Sequence, residues 1–335
     1  MRRALLLLVS VAAALCGLVA PAHAADPVPC ATRPGVGEYP NPLQECPAAD
    51  PGMIIQGDTW YAYTTGLKLY KSTDAGHHWV DLGRFLTIPP GYVDAWAPEV
   101  KRIGGKYIAY FSMRPAPHTF AKIFVATSDN PETGWTLRPE PLVEFPDFSV
   151  IDVSPFRAPD GSLHLLYKED IQGVNVRKIV IDDLSPDGMS VAGNPVEILH
   201  MTKEWEGNSV EGPTMIYNPH DQRYYLFYSG NSYTPYGHYA VGVARSRTLT
   251  GDFDLDKPEG PILQGDDHFL SPGHQFIATV KIHHHKHTMM FYHAYPLFDP
   301  QGNPLPTPGT RVLMMDELHW GSDGWPYVND GTPSR

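Results

Sequence analysis

Three carboxylates open short motifs of similar composition in the sequence. Asp50 precedes Pro51, Asp152 opens an Asp-Val-Ser-Pro motif, and Glu211 opens a Glu-Gly-Pro motif. Each carboxylate alone would be an ordinary surface charge or turn cap. If the fold brings the three together, their mutual repulsion should raise the pKa of at least one. A protonated carboxyl can then protonate a leaving oxygen, while an ionised carboxylate nearby activates water. This division of roles is the chemistry of glycoside hydrolysis.

The recurrence of these motifs predicts the elements that position them. Two more motifs, one starting at Trp96 (Trp-Ala-Pro) and one at Ser271 (Ser-Pro-Gly-His), complete a series of five. They stand roughly 45 to 60 residues apart, close to the length of a four-stranded propeller blade. Because the inner strand of each blade lines the central channel, motifs at the heads of inner strands would face one axial point. The sequence therefore predicts an all-β, five-bladed β-propeller, since a β-sandwich would not need the same opening element five times.

Short strands that are rich in aromatic and β-branched residues follow the motifs, bounded by Gly, Pro, Asp or Asn. They are predicted at residues 60–65, 106–112, 123–128, 163–168, 224–229, 240–246 and 288–293. The run of histidines at 283–287 lies between two strands of the last blade, so it is interpreted as a hairpin tip. A functional metal site in that run is not expected.

The composition of the 335 residues describes a folded and acidic protein. Hydrophobic residues make up 42% of the chain, and 30 glycines and 34 prolines indicate many turns. The formal net charge is −12, and the chain has no basic run, so nucleic acid is not an expected partner. The acidic surface also disfavours anionic membranes. The length allows one large all-β domain.

The amino end has the pattern of a signal peptide. Arg2 and Arg3 precede an apolar stretch over residues 4–15, and Ala22-His-Ala provides a cleavage site after Ala24. We therefore expect a signal peptide over residues 1–24, an N-terminal segment over 25–49, and the propeller over 50–335. A lipoprotein would need a small residue before Cys16, where leucine stands instead. The protein is predicted to be secreted and soluble, because no later apolar run is long enough to cross a bilayer.

The cysteine content predicts one disulfide. Removal of the signal peptide leaves Cys30 and Cys46, and two cysteines in an oxidising compartment are expected to pair. The bond would tie down the N-terminal segment. No Cys-x-x-Cys motif occurs, so neither redox chemistry nor a structural zinc site is indicated.

The five motifs in this order resemble the blade signatures of the family 43 glycoside hydrolases. The closing stretch, with Leu-His-Trp at 318–320 and Asp-Gly-Trp-Pro at 323–326, is similar to the last segment of that family. The resemblance runs from about Asp50 to Pro326. It implies a five-bladed β-propeller that inverts the anomeric centre of α-L-arabinofuranosyl or β-D-xylosyl units in plant cell-wall polysaccharides.

The resemblance also implies a role for each carboxylate. Asp50 matches the general base that activates water, and Glu211 matches the general acid. Asp152 matches the third carboxylate, which orients the acid and raises its pKa. Because Asp50 and Glu211 open non-adjacent blades, we expect the wide carboxyl separation of inverting enzymes, about 6.5–9.5 Å.

Three further residues are candidates for binding. His274 matches a histidine on the channel axis, near a hydrated calcium in many members of the family; the alternative is a buried histidine bonded to backbone. Trp96 could stack on a sugar ring or pack in the core. Arg311 matches an arginine of the substrate pocket, or could form a surface ion pair. The chemistry requires no cofactor, although a structural calcium near His274 is predicted.

Several functional alternatives remain open at this stage. We expect exo action on arabinofuranosyl ends of an oligo- or polysaccharide, with the protein as a monomer. An endo-acting arabinanase, a retaining fructan-type relative and a non-catalytic carbohydrate-binding propeller are the alternatives. Tyrosines in the long loop of blade four (Tyr233, Tyr236 and Tyr239) could form outer subsites.

Overall fold

Five antiparallel sheets follow one another along the chain and surround a central channel. The computed structural model describes residues 27–32, 39–117, 119–171 and 176–335, so the predicted signal peptide lies outside the described residues. Four of the sheets contain a chain-consecutive run of four strands, and the fourth sheet contains three. The predicted five-bladed β-propeller is therefore confirmed.

The strands of each blade run from the channel outward. Blade 1 has β2 (Gly52–Gln56), β3 (Thr59–Thr64), β4 (Lys68–Ser72) and β5 (Val80–Arg84), with β1 (Val28–Pro29) on its outer edge. Blade 2 has β6 (Tyr92–Ile103), β7 (Lys106–Pro115), β8 (Lys122–Ser128) and β9 (Thr136–Leu137). Blade 3 has β10 (Ser149–Arg157), β11 (Leu163–Ile171), β12 (Val176–Leu184) and β13 (Val196–His200). Blade 4 has β14 (Val210–Asn218), β15 (Arg223–Gly230) and β16 (Ala240–Ser246). Blade 5 has β17 (Phe269–Ile282), β18 (His285–Pro296), β19 (Val312–Trp320) and β20 (Pro326–Val328).

Two short 3₁₀ helices complete the secondary structure of the described residues, at Glu204–Glu206 and Phe253–Leu255. No helix in this part of the chain has the length and apolarity to cross a membrane. The histidine run forms the predicted hairpin tip, because β17 ends at Ile282 and β18 begins at His285.

The hydrophobic core lies between neighbouring blades. Side chains alternate between the two faces of a strand, so a blade in the ring buries both faces against its neighbours. The contact between the last and first blades shows the pattern: Trp60 of β3 meets Phe291 of β18 edge-on, with ring centroids 5.7 Å apart. This packing explains why the middle strands are almost wholly apolar and could be predicted from sequence.

The inner strands bend at the motifs that the sequence singles out. The register with the second strand shifts at Trp96/Glu99, Ile151/Ser154 and Glu211/Thr214. Such bulges re-aim side chains at the point where they occur. Both Asp50 (φ 56°) and Asp152 (φ 58°) adopt the left-handed conformation, which costs a non-glycine residue about 1–3 kcal/mol. The recurring motif is therefore a strained bend at the head of the inner strand.

The N-terminal segment fastens the last blade to the first. The predicted disulfide between Cys30 and Cys46 is confirmed. Beyond it, the backbone N–H of Leu43 donates to the carbonyl of Leu313, and that of Ala48 donates to Arg311, both at 2.9 Å. The segment thus lies along β19 of blade 5 before the chain enters blade 1 at Asp50.

Removal of the disulfide should destabilise the ring without stopping its chemistry. The bond closes a loop with a sequence separation of 16, and such a loop contributes about 3 kcal/mol through the entropy of the unfolded chain. We expect the double variant Cys30→Ser/Cys46→Ser to lose about 2–4 kcal/mol of unfolding free energy in urea. Activity well below the unfolding midpoint should remain, because neither cysteine lies in the cavity described below. Equal unfolding free energies for the oxidised protein and the variant would contradict this expectation.

Candidate active site

One cavity of about 470 Å³ contains all three predicted carboxylates. It lies near the starts of the inner strands, and all five blades contribute side chains to it. The lining comprises Asp50, Trp96, Arg114, Ile151, Asp152, Lys168, Asp170, Arg177, Asn208, Ser209, Glu211, Asn231, Ser232, Tyr233, His274 and Arg311. Residues predicted from motifs some 160 positions apart are thus brought together by the ring.

Asp50 is held by donors on both carboxyl oxygens. Arg311 Nη1 donates to Oδ1 at 2.9 Å, and Thr65 Oγ1 donates to Oδ2 at 2.5 Å. Burial alone would raise the pKa of this carboxyl. The charges of Arg311 and His274 outweigh burial and hold the pKa of Asp50 well below its usual range. Asp50 is therefore an ionised carboxylate, ready to accept a proton from water.

A buried and neutral histidine supports the backbone at this point. His293 Nδ1 lies 3.1 Å from the backbone nitrogen of Asp50 and 3.2 Å from its Oδ1, so this ring nitrogen contacts both the backbone and the carboxylate. Burial, together with the charge of Arg311, lowers the pKa of His293 to about 4. This contact fixes the left-handed bend that aims the Asp50 side chain into the cavity.

Glu211 is held by a different set of partners. Lys168 Nζ donates to Oε2 at 2.7 Å, and Ser209 Oγ donates to the same oxygen at 3.2 Å. Tyr239 donates its hydroxyl to Oε1 at 2.8 Å. Asp50 and Glu211 thus have no hydrogen-bond donor in common among the described residues, so each carboxylate is anchored separately.

The sequence predicts a raised pKa for Glu211, and the structure differs. Burial raises the pKa of Glu211, but the Lys168 ammonium and its hydrogen bond outweigh burial and lower it. The carboxyl with the raised pKa is Asp152, at about 6, because it is buried and lies near two other carboxylates. Asp152 Oδ2 accepts the N–H of Gly212 at 3.1 Å, so it does orient the residue that follows Glu211.

Glycine at position 273 allows Tyr239 to reach Glu211. A Cβ atom on Gly273 would stand 2.2 Å from the Tyr239 ring and 3.1 Å from Ser229 Oγ. The prediction that Tyr239 belongs to an outer subsite is therefore wrong, since this side chain is 1% exposed and lies against the carboxylate. Tyr233 and Tyr236 of the same loop are 51% and 72% exposed, as an outer position requires.

His274 lies between two of the carboxylates. Its Nδ1 stands 3.5 Å from Asp50 Oδ1 and 3.9 Å from Asp152 Oδ2, and its backbone N–H donates to Ser229 Oγ at 2.8 Å. The histidine thus faces the centre of the cavity, as the sequence predicts.

The predicted hydrated calcium would take few of its ligands from side chains. Calcium prefers about six to eight oxygen ligands. Among the described residues, the one group of three side chains with closely spaced ligand atoms is Asp266, Asp267 and His268, which excludes His274. A hydrated ion takes most of its ligands from water, so the calcium beside His274 stays a prediction, and no step proposed below passes through a metal.

Trp96 and Arg311 line the cavity with an aromatic and a cationic neighbour. The guanidinium of Arg114 lies 5.1 Å from the centre of the Trp96 ring, and that of Arg311 lies 5.1 Å from the Tyr233 ring. Neither the core-packing alternative for Trp96 nor the surface alternative for Arg311 describes these positions. Flat faces and hydrogen-bond donors together suit a hydroxyl-rich ring.

Sequence reasoning missed Thr65, Lys168 and His293, and it misplaced Tyr239. A signal existed for Lys168, because it stands at the end of an almost wholly apolar strand, where a lysine needs a buried partner. The other three carry no local signal, since their partners lie in other strands or blades.

Comparison with known proteins identifies the family. The model of glycosyl hydrolases family 43 matches residues 39–326. An extracellular endo-α-(1→5)-L-arabinanase of Bacillus subtilis is 28% identical over 312 residues, which cover 83% of this chain and 86% of the relative. An extracellular exo-α-(1→5)-L-arabinofuranosidase of Streptomyces avermitilis is 28% identical over 354 residues, covering 97% and 70% of the two chains.

A solved structure agrees in fold and sequence. A thermostable family-43 glycoside hydrolase superposes with a TM-score of 0.73 and 27% identity, covering 89% of this chain and 97% of its own. The family match spans all five blades and the whole lining of the cavity. The chain therefore belongs to glycosyl hydrolase family 43 and is a glycosidase.

Proposed function

We propose that the protein is an inverting hydrolase of terminal α-L-arabinofuranosyl units, with Asp50 as general base and Glu211 as general acid. The observation that supports this assignment is the separate anchoring of the two carboxylates in one cavity. Asp50 is kept ionised by Arg311 and His274, which suits a group that accepts a proton. Glu211 has a tyrosine hydroxyl on one oxygen, and that hydroxyl can accept a hydrogen bond from a protonated carboxyl as well as donate one.

The proposed reaction proceeds by a single displacement. Water held by Asp50 attacks the anomeric carbon, and its proton passes to that carboxylate. In the protonated form of Glu211, the proton passes to the glycosidic oxygen as the bond to the leaving sugar breaks. Because Lys168 lowers the pKa of this carboxyl, the protonated form is favoured at acidic pH. Asp152, whose pKa is about 6, keeps one proton in the carboxylate cluster under mildly acidic conditions and orients Gly212 beside the acid.

The substrate class is inferred from the relatives and from the cavity. The two relatives described above are named for α-(1→5)-linked arabinan, one with endo and one with exo action. We infer exo action on arabinofuranosyl ends, because two bulky cation–aromatic pairs, Arg311–Tyr233 and Arg114–Trp96, line the same cavity as Asp50. A β-D-xylosyl unit is the second candidate for the same site.

Linear α-1,5-arabinan tests the proposal directly. We expect arabinose as the first product, with little fall in viscosity, and ¹H NMR should show the β-anomer before mutarotation. Early release of mixed oligosaccharides would favour the endo-acting arabinanase. Initial release of the α-anomer would contradict inversion, and binding of the polymer without any product would favour a non-catalytic propeller.

The cellular setting is also a proposal. The relatives named as extracellular and the signal-peptide pattern over residues 1–24 support secretion. The monomeric state and the hydrated calcium beside His274 stay predictions, and the reaction above depends on neither.

A further inference from the structure

The general acid has a buried lysine on one oxygen and a tyrosine on the other. The Lys168 side chain is 4% exposed, and its Nζ bonds Glu211 Oε2 at 2.7 Å and Ser209 Oγ at 3.1 Å. The Tyr239 hydroxyl bonds Oε1 at 2.8 Å. Lys168 comes from β11, the second strand of blade 3, whereas Glu211 lies on the inner strand of blade 4.

These two neighbours differ in what they can accept. An ammonium group has three donors and no acceptor, so it cannot receive a hydrogen bond from a proton on Oε2. A tyrosine hydroxyl can turn and accept one. A proton on Glu211 therefore has a hydrogen-bond acceptor at Oε1. At Oε2 it faces a repelling cation, and the Ser209 hydroxyl beside that oxygen already accepts a hydrogen bond from Lys168 Nζ.

We propose that Lys168 is a positioning residue for the acid: it occupies Oε2 and confines the catalytic proton to Oε1, beside Tyr239. This inference rests on the proposed function, in which Glu211 is the acid. Lys168 has a second effect in the same step. When Glu211 gives up its proton it becomes a carboxylate, and a fixed ammonium at 2.7 Å stabilises the charge that develops.

The pH dependence of activity reports this contact. Glu211 must be protonated to act, so its titration sets the alkaline limb of kcat/KM. The groups that face it are Lys168, Tyr239, Asp152 and His274. Of these four groups, Lys168 is the permanent cation that bonds the Glu211 carboxyl directly. An opposite charge at this range lowers the pKa of a carboxyl by about 1–3 units, so its removal should move the limb upward.

The test compares Lys168→Met with Lys168→Arg on a linear α-1,5-arabino-oligosaccharide. We expect the alkaline limb of kcat/KM to move up by about one pH unit or more in K168M. It should stay near the wild-type position in K168R, which retains the cation. Circular dichroism checks the fold, and K168Q, which is also neutral but keeps a donor, replaces K168M if that variant does not fold.

The outcomes separate the role of Lys168 from the assignment of Glu211 as the acid. A purely structural role of Lys168 would lower kcat/KM at all pH values without moving the limb, and that result would overturn the proposal. Glu211→Gln is measured on the same oligosaccharide. If E211Q keeps wild-type activity, the assignment of the acid fails; if E211Q is inactive and the K168M limb stays in place, only the role of Lys168 fails.

Discussion

Replacement of Asp50 by asparagine is expected to lower kcat by at least about 100-fold on every substrate, the usual scale for the loss of a general base. An amide cannot take the proton of the attacking water. The amide oxygen can still accept the hydrogen bond from Arg311, and the amide nitrogen can donate to the Thr65 hydroxyl. The local fold should therefore persist. The measurement is initial rate on arabino-oligosaccharide and on an activated aryl arabinofuranoside, with circular dichroism to compare the folds.

Asp81→Asn provides a matched control for this variant. Asp81 lies on β5 of the same blade, pairs with Lys68 at 3.8 Å and does not line the cavity. Asp81→Asn makes the same chemical change outside the cavity, so this variant should retain wild-type turnover. Near-normal turnover of Asp50→Asn would exclude Asp50 as the base, and a comparable loss in both variants would point to a general effect of the substitution.

The fold could be predicted because the ring repeats its signals. The bend motif recurs near the start of each inner strand, and the aromatic second strands are buried on both faces by neighbouring blades, so their patterns are strong. The third strands β4 and β12 and the outer strands β5, β9, β13 and β20 were not predicted. The outer strands β5, β9 and β13 show one reason. They are short and carry partly exposed residues, because the outer rim of each blade is solvated.

The sequence could predict that the carboxylates share one cavity, but it could not predict which of them is protonated. Asp50, Asp152 and Glu211 are each preceded or followed by a recognisable motif, whereas the partners that set their pKa values come from elsewhere in the ring. Lys168 lies 43 positions from Glu211, and Arg311 lies 261 positions from Asp50. The prediction of a raised pKa at Glu211 was wrong because it considered the neighbouring carboxylates and not this lysine.

Glu211→Gln should have an effect that depends on the leaving group. An arabinose hydroxyl is a poor leaving group and needs a proton as the glycosidic bond breaks, so kcat/KM on the oligosaccharide should fall at least about 100-fold. The aryl group of an activated aryl arabinofuranoside leaves as a stable phenolate without needing a proton, so kcat on this substrate should fall far less. Glu197→Gln is the matched control, because Glu197 lies on the outer strand β13, pairs with Lys178 and is exposed.

The ratio of the two activities distinguishes the acid from the base. Both substrates need an activated water, so Asp50→Asn should lower the two rates by a similar factor and leave their ratio unchanged. Glu211→Gln should shift the ratio strongly toward the aryl substrate. An equal loss on both substrates in Glu211→Gln would mean that Glu211 does not protonate the leaving group. The nearby carboxyl of Asp152, which holds its proton up to a pH of about 6, would then be the candidate for the acid.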